Sequence, residues 1–392
     1  MHKLRSLSIA KVAKVFSRLS TRLKNTAGRP SAPLGSRILT NPDDIFKHNM
    51  WDHVQWSEED KENAQQKAQE NSCVQIPLNE QGKFDTEAYL YWDKFYEMHR
   101  DKFFKDRKWL FLEFPELLPS DTKNQATTRC HGDQQVEILL PSESNMDSET
   151  RHHQHSGTTH YHRHAPDCQK ARQGASLEKN EDATQTSTFP GQHASFRILE
   201  VGCGVGNSVF PIVNSIKGTD AFLYCCDFSP RAIQVVKDHP DYDDSVCHAF
   251  VHDICEEMAS FPFPPQSLDV ILAVFVLSSI HPERMQGVVG RLSTYLKHGG
   301  IFLFRDYGRY DFSQLRFKKG RCLSENFYTR GDGTCVYFFT KEEVHDLFSS
   351  AGLEEIQNLE DRRLQVNRGK KVAMHRVWMQ SKYRKSYQPP PS

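Results

Sequence analysis

No run in this 392-residue sequence reaches the length of a membrane-spanning helix, which takes roughly 20 apolar residues. The most apolar stretch, Leu268 to Ile280, is too short and follows Pro264 and Pro265. It suits a buried central strand. Net charge is also missing, because 50 Lys and Arg balance 50 Asp and Glu. That excludes a uniformly basic polyanion binder and leaves any such contact to local patches. None of the ten cysteines forms a C-x-x-C pair, so neither a zinc ribbon nor a thioredoxin-like site is expected. Several cysteines fall within apolar runs, as buried free thiols of a reducing compartment do.

Acidic residues are absent before Asp43, while Lys3, Arg5, Lys11, Lys14, Arg18, Arg22, Lys24, Arg29 and Arg37 are all basic. Val12, Val15, Phe16, Leu19 and Leu23 recur at helical spacing among frequent serines. A positive amphipathic helix without a long apolar centre suits a mitochondrial presequence better than a secretory signal. We assign it to residues 1–35, with cleavage between Ser17 and Gly35, and expect a matrix location. A leader that is skipped would leave a minor nuclear or cytoplasmic pool. A basic surface, nuclear-import or RNA-binding arm is the alternative reading.

Residues 36–118 are rich in aromatics, including Trp51, Trp56, Tyr89, Tyr91, Trp92, Phe95 and Tyr96. That is too many rings for a disordered arm, and Trp92, Phe95 and Tyr96 share a helical face. Residues 119–193 turn polar, with His152, His153, His155, His160, His162 and His164. They read as a disordered insert, a flexible polar linker rich in His, and no metal site is expected. From 194 to 385 strands and helices alternate, and 386–392 form a tail. The expected order is strand 197–201, helix 208–216, strand 222–226, helix 230–237, strands 249–251 and 270–277, helix 285–296, strand 301–304, strand 336–339, helix 341–350 and strand 373–380. This βαβα rhythm predicts a doubly wound α/β domain with a mostly parallel sheet covered on both faces.

The sharpest motif is Leu199-Glu200-Val201-Gly202-Cys203-Gly204-Val205-Gly206-Asn207, a strand running through a glycine-rich turn into a helix. Glycines let the backbone approach a ligand, and the helix start offers free N–H groups. A dinucleotide fold wants a third glycine where Asn207 stands, which disfavours an NAD-dependent dehydrogenase. S-adenosylmethionine has no pyrophosphate to cradle and suits the turn. Asp227 ends the second strand, where a carboxylate can accept both ribose hydroxyls. Asp253 ends the third, within reach of an adenine amine, and Val274 and Phe275 end the fourth. Each acid alone could be a solvated strand end, and Asp227 or Ser229 a helix N-cap; four such features in order point to one nucleoside site.

These residues carry a resemblance. The runs Glu200 to Asn207, Cys226-Asp227-Phe228-Ser229-Pro230 and Phe304-Arg305-Asp306-Tyr307-Gly308-Arg309-Tyr310-Asp311 resemble the methyltransferase-like family of tRNA 3-methylcytidine methyltransferases. Leu315-Arg316-Phe317-Lys318, Asn326-Phe327-Tyr328, Arg330-Gly331-Asp332-Gly333-Thr334, Tyr337-Phe338-Phe339-Thr340 and Phe103-Phe104-Lys105-Asp106-Arg107-Lys108-Trp109 do so as well. The resemblance covers roughly residues 36–118 and 195–385. With the basic leader and an Asn-Met-Trp-Asp segment, the chain looks most like the mitochondrial member. What the resemblance implies is a class I S-adenosylmethionine-dependent methyltransferase. It implies activity on the cytidine at position 32 of mitochondrial tRNAs for threonine and serine. It places cofactor contacts at Trp92, Tyr96, Gly202, Gly204, Asp227, Asp253 and Val274, with Trp92 and Tyr96 in a lid, and a mitochondrial seryl-tRNA synthetase as a partner. The polar insert has no counterpart in the compact members.

Neutral cytosine has a lone pair and no proton at N3, so methylation there requires no general base; alignment and electrostatics supply the rate. Asp306 is the candidate to stabilise the developing cation, unless it pairs with Arg305 or Arg309. Phe275 and Tyr307 are candidates to stack on the base, which must be unpaired for its N3 edge to react. Residues 305–392 hold 17 Lys or Arg against 11 Asp or Glu. Arg316, Lys318, Arg362 and Arg363, with Lys105 and Arg107 upstream, are expected on an RNA surface, although charge runs are often merely solvated. A methyltransferase of proteins or small molecules and a nuclear regulatory or scaffold protein are the competing functions.

Overall fold

The computed structural model describes residues 37–100, 105–107, 109–119 and 188–387. The presequence expected over 1–35 and the histidine run lie outside the described residues, as does all but the start of the tail.

One eight-stranded sheet organises the chain. Its strands are β1 (Met50–Trp51), β2 (Phe196–Val201), β3 (Ala221–Asp227), β4 (Cys247–Val251), β5 (Leu268–Val274), β6 (Leu296–Tyr307), β10 (Leu353–Asn367) and β11 (Val372–Lys385). They lie in the order β1-β10-β11-β6-β5-β2-β3-β4. Strands β2 to β6 are mutually parallel, and β11 runs antiparallel to both β6 and β10. Chain order reverses between β2 and β5, which is where a doubly wound fold opens a crevice. The expected mostly parallel α/β fold is present.

Burial follows the two-residue strand period. In β5, Ile271 and Ala273 join one apolar cluster while Val270, Leu272 and Val274 join the other. A strand buried on both faces needs the continuous apolar run seen in the sequence. Helices α5 (Val209–Ile216), α6 (Pro230–Lys237), α7 (Pro282–Tyr295) and α9 (Lys341–Ser349) surround the sheet. Ser229 caps α6 by accepting from the Ala232 N–H, and Pro230 opens its first turn, where the missing amide hydrogen costs nothing. Thr340 and Glu343 form a capping box on α9.

Three features lay outside the sequence expectation. Strand β10 is 15 residues long yet mostly polar, with Leu353, Leu364 and Val366 its buried apolar residues. A second sheet of β7 (Cys322–Ser324), β8 (Phe327–Thr329) and β9 (Cys335–Tyr337) holds the segment expected as strand 336–339. The N-terminal segment is also stitched into the domain. Strand β1 pairs with β10, Met50 opposite Gln365 and Trp51 opposite Leu364. Helix α1 (Glu58–Ser72) reaches the domain through Asn71, whose side chain donates to the carbonyls of Gln314 and Leu315. Helices α2 (Leu78–Thr86), α3 (Ala88–His99) and the one-turn α4 (Leu110–Glu113) follow, and the one-turn α8 (Phe312–Leu315) carries Gln314.

Candidate active site

The glycine-rich turn is shaped by backbone conformation. Gly202, Gly204 and Gly206 all have positive φ, at 60°, 54° and 92°, a region costly for residues with a Cβ. A Cβ on Gly204 would lie 3.0 Å from the Tyr96 hydroxyl, so the turn also packs directly against α3. The Asp227 carboxylate at the end of β3 holds the turn in place. Its Oδ2 accepts from the Gly204 N–H at 2.9 Å and its Oδ1 from the Ser229 N–H at 3.0 Å. Each oxygen keeps acceptor capacity beyond that bond. Burial pushes the Asp227 carboxyl up to about 6.

A cavity of about 520 Å³ opens over these strand ends, lined by Trp92, Tyr96, Gly202, Asp227, Phe228, Asp253, Ile254, Phe275 and Val276. Trp92 and Tyr96 come from α3, with ring centroids 5.7 Å apart. Tyr96 is buried with Phe95, Val205 and Ala232. Asp93 on the same helix accepts from the Ser229 hydroxyl, tying α3 to the residues beside Asp227. The far wall is closed by Arg284 of α7, which donates to Asp85 Oδ1 of α2 at 3.1 Å and to the Cys255 carbonyl at 3.2 Å. Asp253 stands exposed at this end, accepting from the Cys255 N–H at 2.8 Å.

The donor set fits a nucleoside. Asp227 and Asp253 each present a carboxylate to the cavity, and Trp92, Phe228, Ile254 and Val276 supply apolar walls for a purine.

Phe275 is a strained residue in the cavity wall. Its φ is 59°, an outlier for an aromatic residue, and its N–H is held by the Arg305 carbonyl at 2.8 Å. The ring lines the cavity and lies 5.0 Å from the Tyr307 ring. Val274 does not line the cavity. The alternation of β5 turns it into the apolar cluster with Val270 and Leu272, and Phe275 and Val276 take the wall position instead.

Asp306 is also corrected. It is fully buried and pairs with neither neighbouring arginine, since Arg305 bonds Asp361 and Gln380 and Arg309 bonds Glu343. Its Oδ2 accepts from the Ser278 N–H at 2.9 Å and its Oδ1 from the Tyr307 N–H at 2.9 Å. Burial pushes this carboxyl up to about 6. Asp306 is a strut that fixes Ser278 and Tyr307 behind the cavity wall.

The six expected RNA contacts divide. Lys105, Arg316 and Lys318 are exposed. Arg362 is partly exposed and lies 4.9 Å over the Trp56 ring. Arg363 faces inward, bonding Asp361 and Glu113 and lying 3.5 Å from Asp52. Arg107 is largely covered beside the glycine turn, its side chain 15% exposed, with Nη1 2.7 Å from Ser208 Oγ and 3.6 Å from Glu200 Oε1. Neither Arg363 nor Arg107 is on an RNA surface. Among the described residues no group of three or more His, Cys, Asp or Glu is arranged to hold a metal. No helix among them is long and apolar enough to cross a membrane.

A family model described as a methyltransferase domain matches residues 199–302, the span from the glycine turn to β6. The tRNA N(3)-cytidine methyltransferase METTL2 of Danio rerio is 51% identical over 367 residues, covering 93% of this chain and 93% of that one. METTL2B of Homo sapiens, of the same description, is 48% identical over 359 residues, covering 89% and 92%. This chain belongs to the tRNA N(3)-cytidine methyltransferases. A family member is an enzyme, and its cofactor is S-adenosylmethionine. The human mitochondrial member, METTL8, is 47% identical over 264 residues, covering 65% of this chain and 90% of that one. These two METTL2-type relatives therefore match more of the chain at higher identity, which corrects the expected nearness to the mitochondrial member.

Proposed function

We propose that this methyltransferase modifies N3 of the cytidine at position 32 in the anticodon loop of mitochondrial tRNAs for threonine and serine. The observation that carries the reading is the junction at Phe275. One ring lines the cofactor-sized cavity and packs on Tyr307, so a base stacked there meets the transferable methyl. The cofactor supplies an electrophilic methyl on a sulfonium. Asp227 accepts the ribose hydroxyls and Asp253 the adenine amine, while Trp92 and Tyr96 cover the nucleoside and exclude water. Phe275 and Tyr307 hold the flipped cytosine so that its N3 lone pair lies in line with the methyl. No side chain takes a proton, because N3 has none to lose. Positive charge moves to the base, and Asp306 acts at one remove by fixing Tyr307. Lys105, Arg316, Lys318 and Arg362 are proposed to meet tRNA phosphates.

The basic leader supports the matrix location, and a mitochondrial seryl-tRNA synthetase is the proposed partner for serine tRNA. A second reading is favoured by the METTL2 relatives, whose names carry no compartment: methylation of tRNA outside mitochondria. Sequencing of fractionated tRNA from cells lacking the protein decides between them. Loss of 3-methylcytidine at position 32 confined to mitochondrial threonine and serine tRNAs is the expected result. Loss confined to extramitochondrial tRNA would support the second reading, and no loss in either pool would overturn both.

A further inference from the structure

The hairpin Arg330-Gly331-Asp332-Gly333-Thr334 touches α3 with its tip and Tyr307 with its base. It joins β8 to β9 and is closed by the Arg330 N–H, which donates to the Thr334 carbonyl at 2.8 Å. At the tip Gly333 has a φ of 89°, and a Cβ there would lie 2.3 Å from the Tyr91 ring. The hairpin is thus seated against the neighbour of Trp92. At the base the Arg330 guanidinium carbon lies 5.8 Å from the centre of the Tyr307 ring.

Neutral groups hold Arg330. Asp332 Oδ1 accepts from the Thr334 N–H at 2.9 Å and from its hydroxyl at 2.8 Å. The hydroxyl oxygen is left to accept from Arg330 Nη1 at 3.3 Å, and Nη1 also donates to the Cys335 carbonyl at 3.0 Å. Both bonds use one end of the guanidinium. Nε and Nη2 form the edge that grips a carboxylate or phosphate through two parallel bonds. Among the described residues that edge has no partner, and no carboxylate lies within salt-bridge distance of Arg330. Arg330 is half-buried, a cation fixed in place without a counter-ion. Methyl transfer to N3 moves positive charge onto a base stacked at Tyr307, and a bare guanidinium beside it opposes that step. An anion on Arg330 removes the conflict, and a nucleotide carries phosphates on either side of its base. Further cations continue outward from the same point: Arg321 is exposed and donates to the Arg330 carbonyl at 3.5 Å, and Lys318 and Lys319 before it are exposed as well.

We propose that Arg330 grips a phosphate flanking the target cytidine and so positions the flipped nucleotide, a role that rests on the stacking at Tyr307 proposed above. The test is a double-mutant cycle between protein and RNA. The full chain acts on a tRNA that the wild type methylates, carrying the native phosphate or a neutral methylphosphonate 5′ or 3′ of the target cytidine, and kcat/KM is measured. In the wild type one of the two replacements is expected to cost about 10- to 100-fold. Arg330→Met is expected to cost as much on native RNA, and the same replacement then to cost that variant no more than about twofold. Losses that multiply overturn the proposal, as does a wild type indifferent to both replacements. Arg330→Lys keeps the charge without the fork and serves where the methionine variant does not fold. The replacement is expected to cost it less than it costs the wild type, and an equal cost overturns the contact. Tyr307→Leu on native RNA keeps the two readings apart. Transfer at the wild-type rate overturns the stacking and the contact with it; a clear loss there, together with multiplying losses in the cycle, overturns the contact alone.

Discussion

Two opposed demands meet at Asp227. The fold buries it and so raises its pKa, whereas accepting ribose hydroxyls calls for the charged form. The sign of the pH dependence follows. A carboxyl lifted to about 6 in the folded chain stabilises the ligand-free protein fully below the unfolded value near 4. That contribution is lost as pH rises through 6. Asp306, also about 6, and Glu200, pushed by burial to about 7, act in the same direction. Cofactor affinity runs the other way, falling about tenfold per pH unit once Asp227 protonates below 6. Thermal denaturation with and without S-adenosylhomocysteine is expected to show a larger ligand-induced rise in Tm at pH 7.5 than at pH 5. Asp227→Ala is expected to abolish that rise at both. A rise that is independent of pH, or that persists in the alanine variant, would remove Asp227 from the site.

Among the elements, β10 separates what sequence could and could not deliver. Arg362 and Arg363 look alike as a basic pair, but a strand sends neighbours to opposite faces. Arg363 turns inward to Glu113, Asp361 and Asp52, while Arg362 turns to Trp56 and Glu360. Arg363→Ala is expected to cost about 3–5 kcal/mol, because three carboxylates lose a buried partner. Arg362→Ala is expected to stay within about 1 kcal/mol. Chemical denaturation measures both, and similar values for the two would contradict the assigned alternation. Strand β10 escaped the sequence reading because charged residues in ion pairs, such as Glu360 with Arg362 and Asp361 with Arg305 and Arg363, confine its apolar alternation to Leu364 and Val366. The glycine turn and the two strand-end aspartates were legible because local backbone geometry and strand order define them. The burial of Arg107 was not, because contacts a hundred residues away create it. Val274, the last residue of β5, points into an apolar cluster, and the cavity wall falls to Phe275 and Val276 just past the strand end.

Across the whole molecule, the cavity is closed by segments far apart in sequence. Arg284 joins α2 to α7 and to the Cys255 carbonyl, so it couples the N-terminal helices to the loop that carries Asp253. The Asp85–Arg284 pair is partly exposed, at 39% on each side, and is screened by salt. Asp85→Ala is expected to raise the KM for S-adenosylmethionine a few-fold, with little change in kcat. The difference from wild type should shrink between about 0.05 M and 0.5 M salt. A kcat loss at unchanged KM would show that the pair serves catalysis rather than closure.

The last strand in the chain, β11, is an interior strand. It fills the gap between β6 and β10 and pairs with both. Until residues 372–385 have left the ribosome, the sheet is split into two parts that cannot meet, and two long edges stay open to strangers. A nonsense codon before residue 372 is therefore expected to yield aggregate rather than a weakened enzyme, since it would leave β6 and β10 as unpaired edges.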